Sequence, residues 1–282
     1  GKPLPRVQSL QAVQHSDGSV PIYRYPGNEQ GTRYPTHPFS ALSRRVCELA
    51  QRELELAAPG TIAAAGLAEG EGYFNHVVIN YYRHEGDFIA PHQDKRLDIA
   101  RNSVIAALSV YPAGLEQGVL PRQLELLSAD GQKRRQVVAM PQGSLFLLGD
   151  RTNREWQHSV RPLHAAVAAA AAAAKPQHPT DYAASVLPQA RISFTLRRCA
   201  TFVTTEGKLV GQGAQFLMCP DGSVCPTVAD STAAEATGGS DLVSTSTNDV
   251  RVLYMDQFYI AAFKPGGWAV EGGAGGTGPA AL

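Results

Sequence analysis

A histidine and an aspartate two positions apart, His92 and Asp94, form the first pattern that could do chemistry. On an extended strand, residues i and i+2 project to the same face, so both side chains could hold one metal ion from one side. An imidazole with a carboxylate suits Fe(II), and a second, distant histidine would complete a facial triad that leaves coordination positions open. The pair alone is a weak signal, because two solvated loop residues would give the same spacing.

His158 is the candidate for the third ligand. It lies in Trp156-Gln157-His158-Ser159-Val160, which follows the apolar segment 143–148 and a turn. A histidine that begins a new strand after such a turn can reach back across the mouth of a barrel; the alternative is a hydrogen-bonded core histidine. His76 is the best competitor, because it shares strand parity with Asn80, and we interpret it as a satisfied residue of the barrel wall.

A second pattern lies in segment 191–197, which alternates strictly between polar and apolar residues. One face carries Arg191, Ser193, Thr195 and Arg197, and the other carries Ile192, Phe194 and Leu196. Two buried guanidiniums are costly unless anions pair with them. A dicarboxylate would satisfy them, because arginine forks a carboxylate with two parallel hydrogen bonds. An exposed edge strand with two surface arginines is the alternative. Asn80 and Tyr82 share one face of an earlier segment and could donate to the same carboxylate.

A framework of short strands must position these residues. Period-2 patterns bounded by turn residues predict strands at 73–83, 88–92, 102–111, 123–128, 134–140, 143–148, 157–161 and 191–198. Before them, Leu42, Val46, Leu49 and Ala50 recur at the spacing of an amphipathic helix, and 57–72 is predicted as a loop. This order predicts a mostly β chain with flanking helices, folded as a double-stranded β-helix, the jelly roll.

Composition divides the chain into three parts. Residues 1–36 form an N-terminal segment with one short strand candidate at 20–25, and residues 37–200 form the β domain with a flexible insert at 164–188. Residues 201–282 form a C-terminal extension that we predict to be partly disordered, above all at 228–249. The apolar piece 250–263 could be a strand or a helix, and 272–282 is typical of a linker.

Bulk properties limit the classes of protein. The 282 residues are 44% apolar with a formal net charge of zero, so the chain has no general attraction to polyanions and any nucleic-acid binding needs a local basic patch. Its four irregularly spaced cysteines show neither a C-x-x-C pair nor a disulfide framework, which favours an intracellular location, in the nucleus or the cytoplasm. No apolar run is long enough to span a membrane. We expect a monomer.

The motifs, in this order, resemble the AlkB family of Fe(II)/2-oxoglutarate dioxygenases, and most closely its eukaryotic duplex-repair members. The residues that carry the resemblance, over roughly 20–200, are 74–82 (FNHVVINYY), 92–95 (HQDK), 143–145 (GSL), Thr152-Asn153, 156–159 (WQHS) and the R-x-S-x-T-x-R segment 191–197. Each motif is common by itself, but the set is specific.

This resemblance implies a jelly roll that uses Fe(II), 2-oxoglutarate and O2. The iron ligands would be His92, Asp94 and His158. Arg191 would pair with the far carboxylate of 2-oxoglutarate, in a site lined by Asn80, Tyr82, Ser193 and Arg197, with Arg197 near the iron-side carboxylate or near Asp94. The reaction implied is oxidative demethylation of a base, with release of formaldehyde, succinate and CO2.

The substrate is where the sequence departs from the family. Repair members usually carry an acidic residue two positions after the iron aspartate, where this chain has Arg96. The segment 23–39 should form a lid that grips a nucleotide, with Tyr23, Tyr25 and Tyr34 as candidate stacking residues. Basic residues that could contact phosphate are Lys133, Arg134, Arg135, Arg151, Arg154 and Arg198.

Three functions remain open. Demethylation of DNA or RNA leads. Oxidation of a protein side chain or small metabolite is favoured by the neutral net charge and by Arg96. A non-catalytic protein on a decayed oxygenase fold is opposed by the intact His–Asp–His set and both arginines.

Overall fold

A computed structural model describes residues 6–67, 69–84, 86–111, 122–162 and 190–227, together with the backbone of two short strands between 253 and 262. The segments predicted as an insert (164–188), as disordered (228–249) and as a linker (272–282) lie outside these residues. The helices are α1 Ala41–Ala57, α2 Thr61–Ala64 and α3 Asp150–Glu155. The strands are β1 Val7–Ala12, β2 Val20–Pro21, β3 Thr36–Pro38, β4 His76–Tyr82, β5 Ile89–His92, β6 Val104–Val110, β7 Arg122–Ser128, β8 Arg135–Met140, β9 Leu145–Gly149, β10 Trp156–Val160, β11 Arg191–Arg197, β12 Thr201–Val203, β13 Leu209–Gly211, β14 Phe216–Met218, β15 Val224–Pro226, β16 Leu253–Met255 and β17 Phe258–Ala262.

Two facing sheets form a jelly roll. The major sheet has eight strands in the order β16-β17-β9-β6-β11-β4-β1-β3, and the minor sheet has four in the order β5-β10-β7-β8. Apolar side chains of both sheets, among them Val78, Leu126, Phe146 and Trp156, pack in one buried cluster between them. From β4 to β11, consecutive strands alternate between the two sheets, except for the pair β7 and β8, and this alternation places residues distant in sequence at one shared mouth.

The helix α1 covers the outer face of the major sheet. Ser40 caps its start, because the Ser40 hydroxyl accepts a hydrogen bond from the Ser43 amide at 3.1 Å. The buried face of the helix includes Val46, Ala50 and Leu54, which pack with outward-facing residues of β9 and β11. The predicted helical stripe was partly wrong, because Leu42 is 62% exposed and the true face runs through 46, 50, 54 and 57.

The alternation of side chains along β11 determines which of them face the interior between the sheets. Phe194 and Leu196 point toward α1, whereas Arg191, Ser193 and Arg197 are buried on the opposite face, between the sheets. The prediction of an inward polar face is therefore confirmed, and the alternative of an exposed edge strand is excluded, because β11 pairs with both β4 and β6. Extended strands alternate in this way because successive side chains lie on opposite faces.

The eight predicted strands of the β domain are all present, with ends shifted by at most three residues. The N-terminal segment was underestimated: the candidate at 20–25 shortens to β2, and β1 and β3 add two strands to the edge of the major sheet. The predicted loop 57–72 contains α2, and the ambiguous piece 250–263 contains strands β16 and β17. Within the described part of the chain, no helix combines the length and apolar character that crossing a membrane requires.

Residues 201–227 belong to the folded body. Strand β12 pairs with β2, and β14 and β15 form a hairpin. Arg24, 1% exposed, forms an ion pair with Asp98 at 2.6 Å and also donates to the carbonyls of Gly213 and Phe216. These contacts tie the extension to both the N-terminal segment and the loop that follows β5.

Candidate active site

Three side chains with metal-binding atoms meet at the mouth between the sheets. Strands β5 and β10 are antiparallel neighbours, and His92 and His158 are partners in their register, with ring centroids 4.3 Å apart. Asp94 follows the end of β5, and its Oδ1 lies 3.6 Å from His92 Nε2 and 3.9 Å from His158 Nε2. The three ligand atoms lie within 4.8 Å of one another, and no other such group occurs among the described residues.

Protonation of these groups suits a divalent metal. The Ala90 carbonyl lies 2.8 Å from His92 Nδ1, which keeps the proton on that nitrogen and leaves Nε2 to coordinate. Burial, with repulsion from His92, lowers the pKa of His158 to about 3, so its ring is neutral. Burial opposes ionisation of Asp94, but the Arg197 guanidinium and both imidazoles outweigh it and hold the pKa well below its usual range. Two imidazoles and one carboxylate are the donor set that Fe(II) takes in a facial triad.

Asp94 is held so that one oxygen faces the histidines. Arg197 donates to Asp94 Oδ2 through Nη2 at 2.7 Å and Nε at 3.0 Å, which leaves Oδ1 free to coordinate. The side-chain amide of Asn153 exchanges two hydrogen bonds with the Asp94 backbone, both at 2.9 Å. Of the two positions expected for Arg197, the structure shows the one beside Asp94. Its guanidinium also lies over the Tyr23 ring, 4.2 Å from the centroid.

Arg191 lies at the far end of the same interior, and it is only 2% exposed. It donates to the Ser109 hydroxyl from Nε at 3.1 Å and from Nη2 at 2.8 Å, while its Nη1 has no hydrogen-bond partner. No carboxylate lies within ion-pair distance of Arg191 among the described residues. A buried guanidinium with a vacant donor and no counter-ion fits an anionic ligand, and a carboxylate matches its geometry.

One cavity joins the two ends. It has a volume of about 520 Å³, and it is lined by all eight residues predicted from the sequence: Asn80, Tyr82, His92, Asp94, His158, Arg191, Ser193 and Arg197. Asn80 Oδ1 accepts hydrogen bonds from Arg6 Nε at 2.9 Å and Gln8 Nε2 at 3.1 Å. These two donors fix the orientation of the Asn80 amide, so its NH2 group is the part left to serve a ligand.

His76 differs from its expected role. It is fully buried on β4, but neither ring nitrogen has a hydrogen-bond partner among the described residues, so it is not a satisfied residue of the wall. Burial, with repulsion from Arg197, lowers its pKa to about 3. The ring is neutral and packs 6.1 Å from Tyr23, outside the cluster of candidate ligands.

Arg122 is a charged residue of this interior that sequence reasoning missed. It is fully buried, and it donates to the carbonyls of His84, Asp87 and Arg161. The ring of Tyr82 lies near two guanidiniums: its centroid is 5.4 Å from Arg122 Cζ and 5.2 Å from Arg191 Cζ. Burial, then repulsion from Arg191, lowers the pKa of Arg122. Arg122 shares strand parity with the inward-facing Leu124 and Leu126, and this parity could have identified it from the sequence.

Replacement of Arg122 by methionine is expected to raise about tenfold the KM for 2-oxoglutarate, the dicarboxylate that the sequence resemblance implies, which is equivalent to ~1.4 kcal/mol of binding. The physical reason is that a second buried guanidinium, close enough to repel that of Arg191, adds to the positive potential that attracts the far carboxylate. Steady-state succinate formation at varied 2-oxoglutarate measures the effect, and kcat should change little. Arg122→Lys keeps the charge and should restore most of the affinity. Arg45→Met, on the exposed face of α1, is the matched control; an unchanged KM in folded Arg122→Met contradicts the prediction.

The basic residues proposed for phosphate contact are largely neutralised. Arg134, Arg135, Arg151, Arg154 and Arg198 all lie within ion-pair distance of a carboxylate. Arg96, at the position where an acid was expected, donates to Asp150 at 2.8 Å, and Arg154 shares that same carboxylate. Near the mouth, Arg96 and Arg154 are therefore paired with an acid, whereas Arg6 and Lys95 of the cavity wall donate to an amide oxygen and a backbone carbonyl.

Comparisons with known proteins identify a family and two similar proteins. The profile of the family described as "2OG-Fe(II) oxygenase superfamily" matches residues 1–197. The human protein "DNA oxidative demethylase ALKBH2" is 33% identical over 89 residues, which is 31% of this chain and 33% of that protein. This chain thus aligns with about a third of the length of the human protein. A solved structure described as "The structure of OsALKBH1" superposes with a TM-score of 0.36 at 13% identity, over 58% of this chain and 66% of the other.

Proposed function

From the premise that this chain belongs to the 2OG-Fe(II) oxygenase superfamily, which the match over residues 1–197 shows, we propose that it oxidatively demethylates N-alkylated bases in nucleic acid. As a member of that family it is a dioxygenase that uses Fe(II), 2-oxoglutarate and O2. One observation carries the proposal: a His–Asp–His cluster and an unpaired buried guanidinium lie in one cavity. Its volume of about 520 Å³ falls within the range of about 300–1,000 Å³ typical of small-molecule sites.

In this proposal His92, Asp94 and His158 hold the iron, and Arg191 holds the far carboxylate of 2-oxoglutarate. Asn80, Tyr82 and Ser193 line the space between. When bound, iron and 2-oxoglutarate supply, with O2, the oxidant for a C–H bond, and 2-oxoglutarate leaves as succinate and CO2. A hydroxylated N-methyl group is unstable and breaks down to formaldehyde and the free base.

The chain's own residues have three tasks in this reaction. Arg197 orients Asp94 by occupying Oδ2 with two hydrogen bonds, so that only Oδ1 faces the metal position. The Ala90 carbonyl fixes the tautomer of His92. Apolar wall residues such as Leu124, Phe146 and Leu148 exclude water from the cavity, which protects a reactive oxidant from side reactions.

Nucleic acid is the substrate we favour for two reasons. The human relative that aligns with this chain is described as a DNA oxidative demethylase. In addition, Tyr25 and Pro26 line the cavity together with the metal cluster, so flat faces border the position that a flipped or single-stranded base would take.

A second candidate is oxidation of a protein side chain or a small metabolite. The ion-paired arginines around the mouth favour it, because each pairing removes a positive charge that phosphates would otherwise neutralise. Salt dependence separates the two candidates: affinity for a nucleic acid should fall steeply as salt rises, whereas affinity for a neutral substrate should not.

The proposal is tested by incubating the protein with Fe(II), 2-oxoglutarate, O2 and oligonucleotides that carry single N-methylated bases, as DNA and as RNA, single-stranded and duplex. Formaldehyde and demethylated base should appear in equal amounts with succinate. Asp94→Asn, which keeps the shape of the side chain but removes its charge, is the control and should give no product. Succinate formation without formaldehyde from any oligonucleotide would reject nucleic-acid demethylation and favour the second candidate.

A further inference from the structure

Two cysteines lie side by side in the C-terminal hairpin. Cys219 follows β14, and Cys225 lies within β15. Their Sγ atoms are 2.9 Å apart, and both side chains are half-buried and free. A disulfide bond requires about 2.05 Å between the sulfurs, so a movement of less than about 1 Å would bring them to bonding distance.

The turn between these cysteines contacts the rim of the active-site cavity. The Gly222 carbonyl accepts a hydrogen bond from Lys95 Nζ at 2.9 Å. A methyl group built on Gly222 would overlap that nitrogen and would lie 3.2 Å from Pro26 Cγ. Lys95 is the residue next to Asp94, and both Lys95 and Pro26 line the cavity. The hairpin therefore supports the wall that carries a candidate metal ligand.

Few other contacts hold the hairpin in this position. Phe216, Leu217 and Val224 are 38–46% exposed, and Met218, which is 4% exposed, is the large apolar side chain of the hairpin that is buried. Its described contacts are mainly backbone hydrogen bonds across the turn, such as Cys219 N–H to the Ser223 carbonyl at 2.9 Å, and the anchor from Arg24 to the Phe216 carbonyl at 2.7 Å. A segment with few buried contacts opens locally at low cost, so a covalent link would change its behaviour strongly.

We propose that Cys219 and Cys225 form a reversible disulfide that braces this hairpin against the rim of the active site. The oxidant is a low-molecular-weight disulfide such as oxidised glutathione. One cysteine thiolate attacks it and releases one thiol; the second cysteine then displaces the other. Two protein S–H bonds are lost and one S–S bond forms, while the two electrons and two protons reduce the small disulfide to two thiols.

The other two cysteines act as internal controls. Cys47 is 9% exposed and Cys199 is 2% exposed, and both lie in the core. Burial, with a smaller contribution from Glu48, raises the pKa of Cys47 to about 12, and burial raises the pKa of Cys199 well above its usual range. Because both thiols are buried away from a disulfide reagent in solution, both should remain thiols.

The chemistry is tested by equilibrating the full chain in mixtures with increasing ratios of oxidised to reduced glutathione. Intact mass and thiol titration after denaturation should show that two of the four thiols are lost, without a glutathione adduct. Peptide mapping should assign the link to Cys219 and Cys225, and dithiothreitol should reverse it. Cys219→Ser should instead leave one glutathione on Cys225, and Cys47→Ser should behave as wild type. The proposal is overturned if all four thiols remain, or if Cys219 and Cys225 each carry a separate glutathione.

Bracing is tested by amide hydrogen exchange of the oxidised and reduced forms. Peptides that cover 216–227 should exchange at least tenfold more slowly when oxidised, and so should peptides that contain Lys95. Equal exchange in both forms means that the link forms without supporting the rim. Neither measurement requires turnover, so the result does not depend on the proposed substrate.

Discussion

Replacement of His158 by alanine is expected to remove both metal binding and turnover. His158 supplies one of three ligand atoms that lie within 4.8 Å, and its removal leaves the pair His92 and Asp94, which holds the ion from one side only. Loss of an outer partner of a metal ligand typically costs about 10–100-fold, so loss of a ligand itself should cost at least about a thousandfold. Calorimetric titration with Mn(II) under nitrogen measures binding, and succinate formation measures turnover.

The matched control for this prediction is His37→Ala, because His37 is an exposed histidine on β3 outside the ligand cluster. It should bind metal and turn over as wild type. His158→Ala should remain folded, because the substitution removes a ring that is costly to bury and whose Nδ1 has no partner. A folded His158→Ala protein that binds Mn(II) as tightly as wild type would show that the ion lies elsewhere.

Arg191→Met is the second change for which we expect a large effect, here on 2-oxoglutarate alone. Its buried guanidinium has a vacant Nη1 and no counter-ion among the described residues, so the co-substrate is its expected partner. Truncating one side of a buried, hydrogen-bonded charge pair costs about 2–5 kcal/mol, and 3 kcal/mol already exceeds a hundredfold. We therefore expect the KM for 2-oxoglutarate to rise by at least about a hundredfold, with metal affinity unchanged.

Two further variants of this site make the result specific. Arg191→Lys keeps the charge but cannot form the fork, so its KM should lie between those of wild type and Arg191→Met. Ser109→Ala removes the hydroxyl that accepts from Nε and Nη2 but leaves the guanidinium in place, so its effect should be smaller still. A folded Arg191→Met protein with an unchanged KM would show that this arginine is structural and that the carboxylate binds elsewhere.

The sequence predicted much of the framework because strand alternation is local. Period-2 patterning located all eight strands of the β domain, and parity placed Arg191, Ser193 and Arg197 on one face of β11, which the structure shows to be buried. Prediction from the sequence failed where the hydrophobic pattern is not periodic. Strand β1 is short and mixed in composition, and α1 buries a face shifted from the stripe containing Leu42, because burial depends on which side of the helix contacts the sheet.

By itself, the sequence determined which residues can do chemistry: the types and spacing of His92, Asp94 and His158, and the polar face of β11. Only the tertiary structure decided what those residues meet. It paired Arg197 with Asp94, placed Arg122 beside Tyr82, left Nη1 of Arg191 without a partner, and neutralised the arginines of the mouth with nearby acids. The reason is that these contacts join strands and loops distant in sequence, and such distances follow from how the two sheets pack, which no local pattern encodes.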